Sequence, residues 1–352
     1  MKTKKPNQFS RSKFKMNKKQ IAVYYEHPEW FRPLFAELER REIPFEKIDA
    51  AHHAYNPNEN FGEKYAFLFN RMSASAYLRG HGNAIFYTRG LLASLEKVGV
   101  RVINGHDAFQ IEISKALQCA LFDSLGIKYP KTRIINSAKQ AVAAAADLQF
   151  PIVVKPNIGG RGAGIIKFDA TGDLESAVDE NLIDLGIDST ALVQEFVPKR
   201  GEHISRVETL GGKFLYAIKI YPQGENFNLC PAEICQIENA PPQSGISEIG
   251  EMCLTDAPKS GLQIESFEPP AEIIETVERI VAAAKIDVGG VEYMIDDRTG
   301  EPLFYDINAL SNFVADARNL IGFDPHERLV DFLEQEIERC ATDIGCRSSA
   351  VG

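Results

Sequence analysis

The first hundred residues alternate apolar β-type runs with helical patterns, and this alternation restricts the possible folds more than any other feature of the chain. QIAVYYE (20–26), PFEKIDA (44–50), YAFLFN (65–70) and VRVIN (100–104) read as strands. Between them, PEWFRPLFAELERREI (28–43) and residues 84–97 carry apolar positions at helical spacing. Strands separated by helices form a parallel sheet covered on both faces. The expected class is therefore α/β, with an open parallel-sheet domain over residues 20–110. Ligands of such sheets sit beyond the carboxyl ends of the strands, where Asn70, Arg71, Ser73, Ser75 and Arg79 follow the third run. These residues suit a substrate site, and equally a solvated loop whose serines cap a turn.

Beyond residue 111 the pattern changes. EISKALQCALFDSLGI (112–127) reads as a helix, PKTRII as a strand, SAKQAVAAAADLQ (137–149) as an alanine-rich helix and FPIVVKP (150–156) as a strand. IIKFD, a helix near 173–186 and the strand ALVQEFV (191–197) follow. Residues 202–221 read as two strands about a Gly-Gly turn. Residues 222–268 are irregular, 270–285 form a helix, residues 289–310 form a hairpin turning at DDRTG, and a last helix spans about 325–340. This half has α+β character, divided into 111–195 and 196–340, with tails at 1–19 and 341–352.

Two motifs carry chemistry. In VVKPNIGGRGAG (153–164), consecutive glycines can turn backbone N–H groups toward an anion, and Lys155 at the end of a strand adds a point charge. The pattern is not a Walker A loop, and a plain strand-turn-strand hairpin would also explain the glycines. In VEYMIDDRTGEPLFYDIN, Asp306 and Asn308 are two apart, hence on one face of a strand, and Glu292 lies on the paired strand. Three hard oxygen donors suit Mg²⁺ that also holds phosphates; a solvated acidic face is the alternative.

Lys115 early in a helix, Lys155 with its glycine loop, LVQEFV and the acidic-x-Asn hairpin, in that order, resemble the ATP-grasp superfamily. The likeness is nearest to the RimK-like carboxylate-amine ligases, including glutamate ligases that extend a ribosomal protein or an amino-group carrier protein. SKALQCALFDSLGIKYPKT (114–132) looks like that family's lysine-bearing helix leading to G-I-x-x-P-x-T, and FNRMSASAYLRG (69–80) resembles the Asn-Arg-x-x-Ser segment of carrier-protein ligases. The likeness covers residues 100–320 well and the N-terminal part, as a pre-ATP-grasp domain, more loosely. It implies ATP with Mg²⁺ or Mn²⁺, and amide formation through an acyl phosphate. Lys115 and Lys155 would hold the α and β phosphates, and the loop Gly159, Gly160, Arg161, Gly162 and Gly164 would close over the γ phosphate. Glu195, Phe196 and Val197 would meet adenine, and Glu202 or His203 the ribose. Arg206, with Lys155, would act on the transferred phosphoryl group. Glu292, Asp306 and Asn308 would bind metal, and Asn228 and Ser311 would join the substrate side.

The chain departs from the family pattern in three places. The usual acidic-x-Arg is replaced by GEHISRV (201–207), glutamate and aspartate are exchanged in the hairpin, and NFNLCPAEICQ (226–236) stands where relatives carry a basic loop. The implied partners are a small-molecule carboxylate and amine, or a peptide or carrier protein, with dimers and tetramers common among relatives. A small-molecule kinase and a nucleotide-binding protein without turnover are the rival readings.

A net charge of −10 and a pI near 5.3 count against a nucleic-acid partner. No apolar run reaches the length of a membrane span, and the basic N-terminus lacks an apolar continuation. Six sparse cysteines (119, 230, 235, 253, 340 and 346) suit a reducing compartment, so a cytoplasmic protein is expected. Cys230, Cys235 and Cys253 depart from common zinc spacings and suit apolar packing better. His81 and His203 lie near proposed site segments without a partner that would make them catalytic.

Overall fold

Three β-sheets carry the chain in the computed structural model, which describes residues 19–160, 162–222 and 263–342. The first sheet holds β1 (Gln20–Tyr25), β2 (Phe45–Asp49), β3 (Tyr65–Arg71) and β4 (Val102–Ile103) in the order β2-β1-β3-β4, all parallel. Its central strands are apolar on both faces because both are covered. Leu91, Leu92 and Leu95 of the helix Gly82–Lys97 pack on Ala22, Tyr24 and Leu68. On the other face, Leu34 and Leu38 of the helix Arg32–Arg40 and Val330 and Leu333 of the helix Pro325–Ala341 meet Ile21, Val23, Phe67 and Phe69. Each large side chain so buried contributes about 1.5–3 kcal/mol. The helix expected over 28–43 starts later, with Phe31 at the N-cap and a proline in its first turn, where a missing N–H costs nothing.

The second sheet is antiparallel, in the order β5-β8-β6-β7: β5 (Thr132–Ile135), β6 (Ile152–Pro156), β7 (Ile166–Phe168) and β8 (Ala191–Glu195). Leu174 and Ala177 of the helix Thr171–Asp179 cover it, together with Ala141 and Ala145. The alanine-rich helix is shorter than expected, a 3₁₀ turn followed by Ala141–Ala145. Downstream, Asp147 is drawn to Lys131 and Arg133 beside β5.

The third sheet runs β11-β10-β9-β12-β13: β9 (Ile204–Leu210), β10 (Lys213–Tyr221), β11 (Gln263–Ser266), β12 (Val288–Ile295) and β13 (Pro302–Asn308). β11 falls in the stretch read as irregular; it is a short polar edge strand against β10, without the apolar alternation that signals a strand. Ile273, Val277, Ile280 and Val281 of the helix Ala271–Ala283 pack on this sheet. Phe122 of the helix Lys115–Ser124 joins the same cluster, so this helix docks on the third sheet although it precedes the second in sequence. A further short helix, His106–Glu112, leads into it. Among the described residues no helix is long and apolar enough to cross a membrane.

Candidate active site

A cavity of about 620 Å³ opens between the second and third sheets, with Trp30, Ser73 and Ser75 of the first domain on its wall. β6 delivers Lys155 to it. The strand is buried along its whole length, and the lysine remains only 7% exposed. Burial, and then repulsion from Lys115, pull its pKa down to about 8.

Lys115 arrives from the helix packed on the third sheet. Ser114 caps its helix, Oγ accepting the Leu117 N–H at 3.2 Å. Asn157, two residues beyond Lys155, accepts the Ala116 N–H at 2.8 Å on Oδ1 and donates to Asp188 at 2.6 Å. One asparagine thus staples the start of the Lys115 helix to the end of β6, which is why two lysines forty residues apart become neighbours. Gln118 fixes the helix from the other side, donating to the Ile307 carbonyl at 2.9 Å and accepting the Ile307 N–H at 3.2 Å.

The hairpin behaves as its spacing predicts. Glu292 pairs with Asp306 across β12 and β13, and Gly290 with Asn308. Lys115 donates to Asp306 Oδ1, and Asn308 Nδ2 to Asp306 Oδ2 at 3.3 Å. Glu292 accepts from Arg206 Nη1 at 3.1 Å and from the Tyr305 hydroxyl at 2.8 Å. Arg206, opposite Glu292 on β9, also donates Nε to Glu208 at 2.6 Å and Nη2 to Ser311 Oγ at 3.2 Å. A Cβ on Gly290 would lie 2.9 Å from the Glu208 carboxylate, so the glycine leaves the space that carboxylate fills. Burial pushes Glu292 up, against the pull of Arg206; for Asp306 burial is outweighed by Lys115, and its carboxyl is held below the usual range.

These donors fit a hard divalent cation. Two adjacent carboxylates and an amide offer oxygen only, and among the described residues no three His, Cys, Asp or Glu side chains converge into a complete cage. An ion held here needs further oxygens from water or phosphate, the usual manner of Mg²⁺.

Gly159, Gly160 and Gly162 line the cavity, whereas Gly164, at φ +73°, lies against Pro156 outside it, and Arg161 lies outside the described residues. Glu195, Phe196 and Val197 line the far end. Neither candidate for the ribose reaches the wall: Glu202 lies in a turn at φ +54°, and His203 Nδ1 lies 2.9 Å from the Gly201 carbonyl. Of the substrate loop, Ser73 and Ser75 reach the cavity. Asn70 is turned to the Asn104 carbonyl at 3.0 Å, Arg71 to the Ser311 carbonyl, and Arg79 to Glu26, which His81 also meets at 2.6 Å. Ser311 is buried behind Arg206. Asn228, Cys230, Cys235 and Cys253 lie outside the described residues, and the Cys119 thiol is pushed up by burial. Sequence reasoning missed Glu112, Glu208, Asn157 and Gln118. All four stood in or beside a recognised motif: Asn157 inside VVKPNIGGRGAG, Gln118 inside SKALQCALFDSLGIKYPKT, Glu208 directly after GEHISRV, and Glu112 three residues before Lys115, at the end of the preceding helix.

Residues 113–229 match the model of the RimK-like ATP-grasp domain. The chain is 24% identical over 220 residues to the carbamoyl phosphate synthase large chain of Thermotoga sp. (strain RQ2), covering 61% of this chain and 18% of that one. It is 29% identical over 165 residues to the D-alanine–D-alanine ligase of Haemophilus influenzae (strain PittEE), covering 46% and 52%. The chain thus spans about a fifth and about half of the lengths of these curated relatives. Among solved structures, the ATP-grasp ligase PsnB complexed with a phosphomimetic variant of its minimal precursor, Mg and ADP superposes with a TM-score of 0.62 at 16% identity, over 91% of this chain and 99% of that one. The fold is ATP-grasp.

Proposed function

We propose that this ATP-grasp protein is an ATP-dependent carboxylate-amine ligase, joining amino acids, or a carboxylate to a peptide or small-molecule amine, with release of ADP and phosphate. The observation that carries the reading is the meeting of Lys115, from a helix on the third sheet, and Lys155, from the second sheet, with Glu292, Asp306 and Asn308 around one cavity. PsnB was solved with Mg, ADP and a precursor variant, which supports the nucleotide reading and adds peptides to the candidate substrates.

Amide formation from a carboxylate is uphill in water and has a poor leaving group. Transfer of the γ-phosphoryl group to the carboxylate supplies a better one, and the amine then attacks the acyl phosphate. The protein contributes position and charge. Lys115 and Lys155 would neutralise the triphosphate, and Arg206, oriented by Glu208, would steady the phosphoryl group in flight. Glu292, Asp306 and Asn308 would hold Mg²⁺, which would supply positive charge to the phosphates. The loop at 159–164 would exclude water that hydrolyses the intermediate. The described part of the site offers no arrangement for a covalent protein intermediate, and the reaction requires none.

The test is phosphate release with MgATP over a matrix of amino acids and dipeptides, with product masses. Lys155→Ala and Asp306→Ala should each abolish ADP formation while the protein stays folded by circular dichroism. Turnover retained in either variant overturns the site assignment. A phosphorylated product formed without any amine overturns the ligase in favour of a kinase.

A further inference from the structure

Four carboxylates line the cavity: Glu112, Glu195, Glu292 and Asp306. Glu195 is already engaged, accepting the Gln149 N–H at 3.0 Å on Oε1 with Arg298 3.9 Å from Oε2. Among the described residues no three acidic side chains converge to hold one ion, and Glu292 and Asp306 are register partners. Glu112 is therefore the carboxylate set apart from the metal-binding pair. It ends the helix His106–Glu112, and its Oε2 accepts the N–H groups of Ala309 at 2.5 Å and Leu310 at 3.2 Å, immediately after Asn308. No donor among the described residues reaches Oε1, yet that atom is not sealed inside the protein. Burial pushes the Glu112 carboxyl up, so that it gains from a cation brought beside it, and Lys115, whose charge also favours the anion, donates to Asp306 instead.

The charge pattern gives this free oxygen a task. Lys115, Lys155 and Arg206 make the cavity favourable to phosphate and unfavourable to an ammonium group. Once Glu292 and Asp306 hold a metal, their negative charge is spent on it. A cationic amine entering the same cavity then needs an anion of its own; Glu195 on the wall is paired with Gln149 and Arg298, which leaves Glu112. We propose that Glu112 Oε1 binds the ammonium group of the amine substrate, so that the acceptor is a primary amine carried in as a cation: an amino acid, a peptide N-terminus or a lysine side chain. This rests on the ligase reading and adds the site at which the amine is received.

The test compares two nucleophiles in the presence of MgATP and each carboxylate of the matrix: hydroxylamine, which is uncharged near neutral pH, and the ammonium-bearing amines of the matrix. Glu112→Gln keeps a carbonyl oxygen for the Ala309 and Leu310 N–H groups and removes only the charge. It should bind MgADP as the wild type does, form hydroxamate within about twofold of the wild-type rate, and raise KM for ammonium-bearing amines about tenfold or more. Glu112→Asp keeps the charge on a shorter side chain, and should lose less of the amine preference than Glu112→Gln although it disturbs the backbone bonds more. Equal loss with both nucleophiles, or a larger loss in Glu112→Asp, would mean that Glu112 only braces residues 309–310 and overturns the proposal. An unchanged KM for the amines overturns it as well. Should the wild type form neither hydroxamate nor amide with any substrate, the ligase reading itself fails and takes the occupant of Glu112 with it.

Discussion

Lys155 is held in a protonation state it resists. Buried beside a second lysine, its ammonium has a pKa of about 8 in the unliganded protein, below the ordinary lysine value, and a bound triphosphate would raise it again. The sign follows directly. Nucleotide binding favours the protonated form, so affinity should be fully present below pH 8 and should fall as pH rises through that value, by at most about tenfold per pH unit. Titration calorimetry of MgADP in buffers of different ionisation enthalpy should show proton uptake on binding near pH 8 and above. A pH-independent affinity between pH 7 and 9 would mean that the phosphates do not sit on Lys155. At this scale the recognisable residues were those whose types announce chemistry: a strand lysine before glycines, and an acidic residue two from an asparagine. Glu208 and Asn157 were illegible because their roles depend on contacts that only the fold creates. Glu208 is defined by Arg206 and by the missing side chain of Gly290, and Asn157 by a helix start forty residues before it.

At the scale of elements, the helix Lys115–Ser124 is the connection between the two cavity lysines and the acidic hairpin. Its docking depends on Gln118, whose amide replaces a strand neighbour for Ile307 at the edge of the third sheet. Gln118→Leu fills similar volume but leaves the Ile307 N–H and carbonyl unpaired in a buried position, and should cost about 2–4 kcal/mol for the two groups together. Urea denaturation measures that loss. The same variant should weaken MgADP binding, because the helix start carries Lys115; a destabilised protein with wild-type MgADP affinity would show that docking and the site are separable. Elements with strong patterns, such as β3, β10 and the helix Ala271–Ala283, were readable in the sequence because burial is continuous along them, on both faces of β3 and on one face of the helix. β11 and the short helix His106–Glu112 were not. One is a polar edge strand; the other lies before the helix read over 112–127, which itself starts later, at Lys115 after the Ser114 cap.

Across the whole molecule, the first domain is joined to the third sheet by a contact that no local pattern contains. Asn104, just after β4, adopts φ +52°, a conformation asparagine tolerates better than most residues. Its Oδ1 accepts the N–H groups of Asp287 at 2.8 Å and Val288 at 3.0 Å, while Nδ2 donates to the carbonyls of Val288 and Ala309, each at 2.6 Å. Its own N–H donates to the Asp287 carboxylate at 2.8 Å, which also pairs with Arg101. One side chain therefore satisfies four backbone groups at the start of β12 and just after β13, and the shared apolar cluster of β1, β3 and the helix Pro325–Ala341 lies across the same junction. Such a joint makes the parallel sheet and the third sheet one cooperative unit. Asn104→Ala removes four bonds from buried backbone and places alanine at a positive φ, so a loss above about 3 kcal/mol is expected. Unfolding in urea, followed by tryptophan fluorescence from Trp30 in the first domain and by far-ultraviolet circular dichroism, should remain a single coincident transition at a lower midpoint. If the two signals separate, the first domain folds independently, and the contact through Asn104 is an interface between two stable units.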